Sequence, residues 1–283
     1  MDLCDRNDIQ ALLARHGFRF SRALGQNFLI EGWVAEDIAA ASGADADTGV
    51  VEVGPGIGSL TTQLARRAGK VVSVELDRRL YPVLAETMAP YENFTLVEGD
   101  VMQLSLPALV QEHLGSLRPV LCANLPYNIT TPFLTACVEA QCFDSLTVLI
   151  QKEVAQRICA APGTADYGAF TLLMQYYTEP EIAFIVPPSS FIPRPSVDSA
   201  VVVCKNRTVP PVEICDEKLF FRVVKAAFSL RRKMLSNALK NMGITSQQAQ
   251  EWLNLAGIDP KRRGETLSLQ DFANLTNTFE KIK

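Results

Sequence analysis

Val50-Val51-Glu52-Val53 runs directly into Gly54-Pro55-Gly56-Ile57-Gly58, after which Leu60, Leu64 and Ala68 recur on one face of a helix over 59–68. An apolar run, a glycine turn and an amphipathic stretch in that order make a strand that hands over to a helix. A chain that does this commits itself to parallel pairing, because the helix returns it to the end of the sheet at which the strand began. The pattern then repeats. Val71-Val72-Ser73-Val74 ends at Glu75 and precedes a helical stretch over 78–88, Phe94-Thr95-Leu96-Val97 leads to Gly99-Asp100, Val120-Leu121-Cys122-Ala123 leads to Asn124, and Leu146 to Ile150 is a further β-branched run. Short strands separated by helices predict a parallel sheet covered on both faces, an α/β class fold. Ile182 to Val186, the prolines 187, 188, 193 and 195, and a strand over 197–203 close this first domain.

From residue 217 the pattern is helical only: 219–242, 246–255 and 269–279, with Gly243 and Gly257 as stops. The boundary is placed near residue 206, giving domains 1–206 and 207–283. Charge divides in the same way. The chain has net charge −4, but residues 1–187 hold 12 Lys and Arg against 22 Asp and Glu, whereas 188–283 hold 15 against 9. An acidic front suits a small ligand and a basic back suits a polyanion, since phosphate neutralisation dominates nucleic-acid affinity. A solvated basic helix face is the plainer alternative.

Composition excludes several classes. With 48% hydrophobic and 20% charged residues the chain is neither disordered nor collagenous. No apolar run reaches the length of a membrane span, and the acidic start Met1-Asp2-Leu3-Cys4-Asp5 is unlike a signal peptide, so a cytoplasmic location is expected. Seven cysteines without a C-x-x-C pair, and two distant histidines, His16 and His113, fit neither a disulfide framework nor a metal site. No metal is expected, and both histidines read as surface residues.

The glycine turn lets a backbone approach a ligand closely. Its G-x-G-x-G spacing is tighter than the dinucleotide signature, and Glu75 at the next strand end suits paired ribose hydroxyls, so NAD and S-adenosylmethionine both remain open here. Asp100 suits the exocyclic amine of an adenine, because a carboxylate only accepts hydrogen bonds. Asn124-Leu125-Pro126-Tyr127 falls where a fourth strand would end, facing the same crevice. The Asn side-chain carbonyl and a backbone carbonyl held outward by the proline offer two acceptors to one amino group. That draws the amine lone pair out of conjugation and makes it nucleophilic toward a sulfonium methyl group. Tyr127 would stack on the extruded base.

On these residues the chain resembles the KsgA (RsmA) ribosomal RNA adenine dimethyltransferases. The motifs span nearly its whole length: 24–29 (LGQNFL), 51–58 (VEVGPGIG), 124–129 (NLPYNI), 151–155 (QKEVA) and 191–200 (FIPRPSVDSA). The resemblance implies a Rossmann-like methyltransferase domain followed by a small helical domain. It implies dimethylation, from S-adenosylmethionine, of N6 of two adjacent adenosines in the 3′-terminal hairpin loop of 16S rRNA in the 30S particle, during small-subunit biogenesis. Gln26, Asn27, Leu29, Gly54, Gly56, Glu75, Leu76, Asp100, Val101 and Asn124 are then cofactor residues. Asn124, Leu125, Pro126 and Tyr127 carry the chemistry, with Phe191 as a second aromatic against the target base. Arg231-Arg232-Lys233 matches the family's basic helix segment. Lys261-Arg262-Arg263, Arg194 and Arg22 are further RNA candidates, Arg22 lying beside Arg19 and two phenylalanines. Leu230 and Val101 depart from the family's commoner wording, which bears on substrate detail and not on reaction class.

Three rivals are weighed. A macrolide-resistance methyltransferase of large-subunit rRNA shares the tetrapeptide logic, but residues 25–29 and the Arg-Arg-Lys segment look more like KsgA. A non-catalytic assembly factor would not need Gly54, Glu75, Asp100, Asn124 and Tyr127 together. An NAD oxidoreductase has the wrong glycine spacing and no use for the tetrapeptide. A monomer acting on a ribonucleoprotein particle is expected.

Overall fold

The computed structural model describes residues 1–21, 25–230 and 232–282. The chain divides into two compact units, residues 1–155 with 179–206, and residues 156–178 with 207–282. One division falls after Asn206, and residues 156–178 group with the second unit.

In the first unit a two-residue strand, β1 (Phe28–Leu29), precedes the main sheet strands β2 (Thr48–Val53), β3 (Lys70–Glu75), β4 (Phe94–Glu98), β5 (Arg118–Asn124), β6 (Ser145–Gln151) and β7 (Thr178–Val186). A short β8 (Phe191–Ile192) and then β9 (Ser199–Asn206) follow. Among the described residues, seven strands form one sheet in the order β4-β3-β2-β5-β6-β9-β7. The pairs β4-β3, β3-β2, β2-β5 and β5-β6 are parallel, as the sequence pattern predicts. β9 runs antiparallel to β6, Gln151 facing Ser199 and Ser145 facing Lys205. This last pairing was not legible from the parallel pattern. The helices Lys152–Ile158 and Ala169–Tyr177 lie between β6 and β7, whereas the chain enters β9 from β7, its other neighbour in the sheet, through a 3₁₀ turn and β8 with no α-helix to return it in the parallel sense.

The chain winds outward from β2 in both directions, through β3 and β4 on one side and β5 and β6 on the other. β2 and β5 therefore flank the switch point at which a crevice opens beyond the carboxyl ends of the strands. Val50, Val71, Val120 and Leu149 from the sheet are buried together with Ile9, Leu12 and Leu13 of the helix Arg6–Arg15 and with Val34, Ala35 and Ile38 of the helix Gly32–Ala41. The N-terminal helix is capped by Asp5, whose side chain accepts from the amides of Asn7 and Asp8. His16 is not simply a solvated residue: its Nε2 lies 2.7 Å from Glu86 Oε2, and Arg15 pairs with the same carboxylate.

The second unit has its own core. Tyr167, Leu172 and Tyr176 join Phe220, Val223, Trp252, Leu267, Phe272 and Leu275, which is why 156–178 sides with it. Two polar tips inside this core are satisfied by main-chain carbonyls, Tyr167 Oη donating to Leu267 at 2.8 Å and Trp252 Nε1 to Leu275 at 2.8 Å. The helices Ser246–Leu255 and Leu269–Thr278 match their expected extents, each opened by a reciprocal capping box. The expected single helix over 219–242 is instead a helix Glu217–Phe228, a short one at Leu235–Ala238 and a 3₁₀ turn ending at Gly243. Among the described residues no helix is long and apolar enough to cross a membrane, and no cluster of His, Cys, Asp or Glu is arranged to hold a metal.

Candidate functional site

The carboxyl ends of β2, β3 and β5 and the turn after β4 converge on a cavity of about 290 Å³, near the lower end of small-ligand sites. Residues 25–29, 52–57, 74–76, 99–102 and 124–129 line it. The sequence-derived residues Gln26, Asn27, Leu29, Gly54, Gly56, Glu75, Leu76, Asp100, Val101, Asn124, Leu125, Pro126 and Tyr127 are all in this wall. They come from five separate stretches of chain, which only the sheet topology brings together.

The glycine turn forms the floor. Gly54 and Gly56 have φ of +68° and +61°, a region L-residues with side chains enter only at a cost. At Gly56 a Cβ would lie 3.0 Å from Phe28 Cδ1, so the bare backbone also admits the Phe28 ring against the turn.

Two buried carboxylates face the cavity. Glu75 closes β3, and its Oε1 accepts the Asp77 amide at 2.8 Å. Burial nevertheless pushes its carboxyl up to about 7, against the lowering effect of the amides of Asp77, Gly56 and Leu76. Glu52 was missed at the sequence level. It is 1% exposed, and its Oε2 accepts from Ser73 Oγ at 2.6 Å and Thr61 Oγ1 at 2.8 Å. Burial drives it up to about 7 as well. The available signal was an acid inside an otherwise apolar strand. Asp100 both lines the cavity and caps the 3₁₀ turn Val101–Gln103, accepting the Met102 amide at 2.9 Å. The cap and the ligand reading of that residue therefore coexist.

Glu52, Glu75 and Asp100 give the cavity an acidic wall, and no Lys or Arg is among its described lining residues. Such a wall is complementary to a cationic ligand and opposes the diphosphate of a dinucleotide. Buried acceptors for hydroxyls, a bare-backbone floor and negative potential together fit S-adenosylmethionine, a sulfonium with a ribose and an adenine.

At the far wall Asn124 ends β5. Its Nδ2 donates to the main-chain carbonyl of Asn27 at 3.0 Å, which fixes the amide orientation and leaves Oδ1 as the available acceptor. Leu125 donates its amide to the Leu149 carbonyl at 3.1 Å, while among the described residues its own carbonyl accepts no hydrogen bond. The Pro126 carbonyl turns instead to Ile129 N at 3.2 Å and Thr130 Oγ1 at 3.1 Å, opening the helix Thr130–Ala140. Tyr127 is half-buried with its hydroxyl 2.8 Å from Ser199 Oγ, and burial raises its pKa. Its hydroxyl is held at the tip by Ser199 and the residue lines the cavity. Ser199 was not singled out in the sequence.

Other expected site residues fall elsewhere. Phe191 is 1% exposed, faces Leu29 across the β1-β8 pair and belongs to the hydrophobic core rather than to the cavity lining. Gln26 reaches the cavity, but both ends of its amide are engaged within the protein, Nε2 with Asp77 Oδ2 at 2.8 Å and Oε1 with the Ser21 amide at 2.9 Å. Arg194 is exposed in the first unit; Arg232, Lys233, Lys261 and Arg263 are exposed in the second. Arg262 is turned inward, bonded to Thr266 and 3.2 Å from Asp271 Oδ2. Arg22 and Arg231 lie outside the described residues.

Comparison with known proteins agrees with this geometry. The family model described as Ribosomal RNA adenine dimethylase matches residues 17–281. A relative from Geobacillus thermodenitrificans named Ribosomal RNA small subunit methyltransferase A is 45% identical over 284 residues, covering 98% of this chain and 97% of its own. One of the same name from Staphylococcus aureus strain Newman is 45% identical over 287 residues, covering 99% and 97%. Among solved structures, 23S rRNA methyltransferase ErmE superposes with TM-score 0.70 at 26% identity, over 90% of this chain and 100% of that one. A dimethyladenosine transferase from Plasmodium falciparum superposes with TM-score 0.74 at 23% identity, over 90% and 98%, a likeness of fold.

Proposed function

The chain belongs to the ribosomal RNA adenine dimethylase family, whose methyl donor is S-adenosylmethionine, and from that premise we propose that it dimethylates N6 of two adjacent adenosines in the 3′-terminal hairpin loop of 16S rRNA within the 30S particle. It acts in the cytoplasm as a monomer during small-subunit biogenesis. The observation that carries the reading is the Asn124 amide, pinned by the Asn27 carbonyl at 3.0 Å with Oδ1 left to accept.

When bound, S-adenosylmethionine supplies an electrophilic methyl group on a sulfonium that leaves as a neutral thioether. Glu75 accepts from the ribose hydroxyls, Asp100 from the adenine amine, and the 54–58 turn lets the methionine end lie against bare backbone. The extruded target adenine rests on the Tyr127 face, an interaction of about 1–3 kcal/mol per stacked base. Its N6 hydrogens go to Asn124 Oδ1 and the Leu125 carbonyl. The nitrogen lone pair, turned out of the ring plane, then faces the methyl group. No side chain has to remove a proton before transfer, since each transfer leaves a methylated nitrogen cation that still carries hydrogen and loses one proton to solvent. Phe191 backs this wall from the core through Leu29, and Arg194, Arg232, Lys233, Lys261 and Arg263 contact RNA phosphates.

The test is methyl transfer from labelled S-adenosylmethionine to unmethylated small subunits and, separately, to large subunits, with the nucleoside mapped by mass spectrometry. N6,N6-dimethyladenosine in the small subunit's 3′-terminal loop is expected, and label in large-subunit rRNA would overturn the substrate. Asn124→Ala is expected to abolish transfer while cofactor and particle still bind. Near-normal turnover in that variant would sink the mechanism.

A further inference from the structure

An asparagine amide has two nearly equivalent orientations, and only one presents an acceptor to an amine. In the other, Nδ2 faces the amine and donor meets donor. The Asn27 carbonyl breaks this degeneracy by accepting from Nδ2. The question becomes what holds that carbonyl in place.

Downstream the answer is the strand pair: Phe28 and Leu29 are in register with Ile192 and Phe191, and Ile30 N donates to the Ser190 carbonyl at 2.9 Å. Upstream it is a side-chain cluster of Gln26, Asp77 and Arg79 whose mutual bonds the reaction does not use. Asp77, 6% exposed, follows Glu75 by two residues. Its Oδ1 accepts Arg79 Nε at 2.8 Å and the Arg79 amide at 3.1 Å, and its Oδ2 accepts Arg79 Nη2 at 2.6 Å and Gln26 Nε2 at 2.8 Å. All four lone-pair positions of the carboxylate are thereby occupied by protein donors, so Asp77 has none left for a ligand. Gln26 passes the restraint on, its Oε1 accepting the Ser21 amide at 2.9 Å. Arg79 makes a second attachment, Nη1 to the Arg19 carbonyl at 3.2 Å with the guanidinium 5.2 Å from the centre of the Phe18 ring. The Asn27 side chain closes the local turn on Gly25 O at 3.1 Å. The Asp77 amide meanwhile donates to Glu75 Oε1 at 2.8 Å. Hydrogen bonds from Glu75 through Asp77 to Gln26, the peptide link from Gln26 to Asn27, and the bond from Asn124 to the Asn27 carbonyl thus connect the ribose-site carboxylate with the amide of the residue that receives the substrate amine.

We propose that Gln26, Asp77 and Arg79 are positioning residues for methyl transfer, which hold residues 25–27 so that the Asn27 carbonyl keeps Asn124 Oδ1 aimed at the target nitrogen. The proposal rests on the reading of Asn124 as the amine acceptor. It changes the role of Gln26, which the motif resemblance places among the cofactor contacts: its amide is a tie between chain segments.

Gln26→Leu removes both ends of the tie at nearly constant volume, and it leaves the Asp77–Arg79 pair intact, so the fold is retained. Gln26→Glu is the paired control. It keeps length but sets a carboxylate against Asp77, and is expected to behave like Leu. Two readouts separate positioning from mere stability. The first is the exchange rate of the Asn124 side-chain amide protons, followed by NMR in the ligand-free protein. The variant is expected to lose at least tenfold in protection. The second is single-turnover methylation of unmethylated small subunits with calorimetric binding of S-adenosylmethionine. A fall of about tenfold to a hundredfold in the transfer rate is expected, the scale on which small misplacements of reacting groups act, with cofactor affinity within threefold of the parent. Unchanged protection together with an unchanged rate would overturn the proposal. A loss confined to cofactor affinity would also overturn it and return Gln26 to the cofactor wall. If the parent protein methylates no small-subunit adenosine, the functional reading fails, and the exchange measurement alone then decides whether the tie orients Asn124.

Discussion

Glu52→Gln isolates the electrostatic design of the cavity. Burial lifts the Glu52 carboxyl from its ordinary 4.5 to about 7, a preference for the neutral form worth about 3 kcal/mol at 1.36 kcal/mol per tenfold change in proton affinity. Below about pH 4.5 the group is protonated in both folded and unfolded chains and contributes nothing to pH dependence. Between 4.5 and 7 the unfolded chain releases its proton while the folded chain keeps it, so stability falls as pH rises. Above 7 the full loss of about 3 kcal/mol is present. Glutamine is neutral throughout. Its Oε1 can take over the hydrogen bonds of Ser73 and Thr61, both of which converge on one Glu52 oxygen, so the substitution should leave the packing in place.

Glu52→Gln should therefore melt above the parent at pH 8 and close to it at pH 5. The difference between the two pH values corresponds to roughly 2–3 kcal/mol, or about 5–10 °C at 2–4 °C per kcal/mol for a unit of this size. Glu75 adds a like-charge push on Glu52, so the two titrate as a coupled pair and removing one lets the other ionise more easily. Saturation with S-adenosylmethionine brings positive charge beside both groups. Its stabilising effect should grow with pH in the parent and grow less in the variant. Calorimetric melts at both pH values, with and without cofactor, provide the assay. A melting difference that is the same at pH 5 and pH 8 would refute the argument, because nothing about Glu52 would then be titrating.

The other expectations are more local. Glu75→Ala should weaken S-adenosylmethionine binding in calorimetry by about tenfold to a hundredfold, the equivalent of about 1.5–3 kcal/mol for hydrogen bonds to a charged group; unchanged affinity would move the ribose site elsewhere. Gly56→Ala should lower stability by more than Gly43→Ala does. Both glycines have positive φ, +61° and +64°, and each substitution incurs about 1–2 kcal/mol of left-handed strain, but only at Gly56 does the new Cβ meet a ring, whereas nothing lies within 4 Å at Gly43. Equal losses in denaturant titration would remove the Phe28 contact from the account. Neutralising Arg232, Lys233, Lys261 and Arg263 should flatten the salt dependence of RNA binding by about 0.7–0.9 in log-log slope per lost phosphate contact. Arg262→Ala should act instead on the melting temperature, through Thr266 and Asp271, with the slope retained.

What the sequence made legible follows from what burial does to a pattern. Strands β2, β3, β5 and β6 are largely buried on both faces, so they read as mostly apolar runs, and the polar residues Glu75 and Asn124 stand out where two of them stop. The helix break after Phe228 was hidden because apolar residues recur at helical spacing on both sides of it. Periodicity reports which face is apolar but is silent on whether the axis continues. The allegiance of 156–178 was hidden for a related reason. Tyr167, Leu172 and Tyr176 are as suited to a sheet-covering helix as to a helical core, and only their neighbours Phe220 and Phe272 decide. Glu52 was overlooked because an acid within a strand run is read against the run rather than as its purpose, and the bonds from Gln26 to Asp77 and Ser21 were hidden because a motif records that a residue is present and not which way its amide faces.

The proposed two transfers to one nitrogen would place a condition on the acceptors. Before the first, N6 would have two hydrogens for Asn124 Oδ1 and the Leu125 carbonyl; before the second it would have one, and the new methyl would take the other direction. A mobile general base would follow the remaining hydrogen and carry the lone pair with it. Here neither acceptor is mobile, one fixed through Nδ2 by a main-chain carbonyl and the other part of the main chain ahead of a proline. The lone pair keeps its heading, and the second step forfeits about one hydrogen bond, 0.5–1.5 kcal/mol. Neutral acceptors matter for release as well. A carboxylate in place of Asn124 would bind the cation that each transfer creates and hold it in a cavity already acidic from Glu52, Glu75 and Asp100. An amide and a peptide carbonyl bind it weakly, so the nitrogen can lose its proton to solvent and the product can leave.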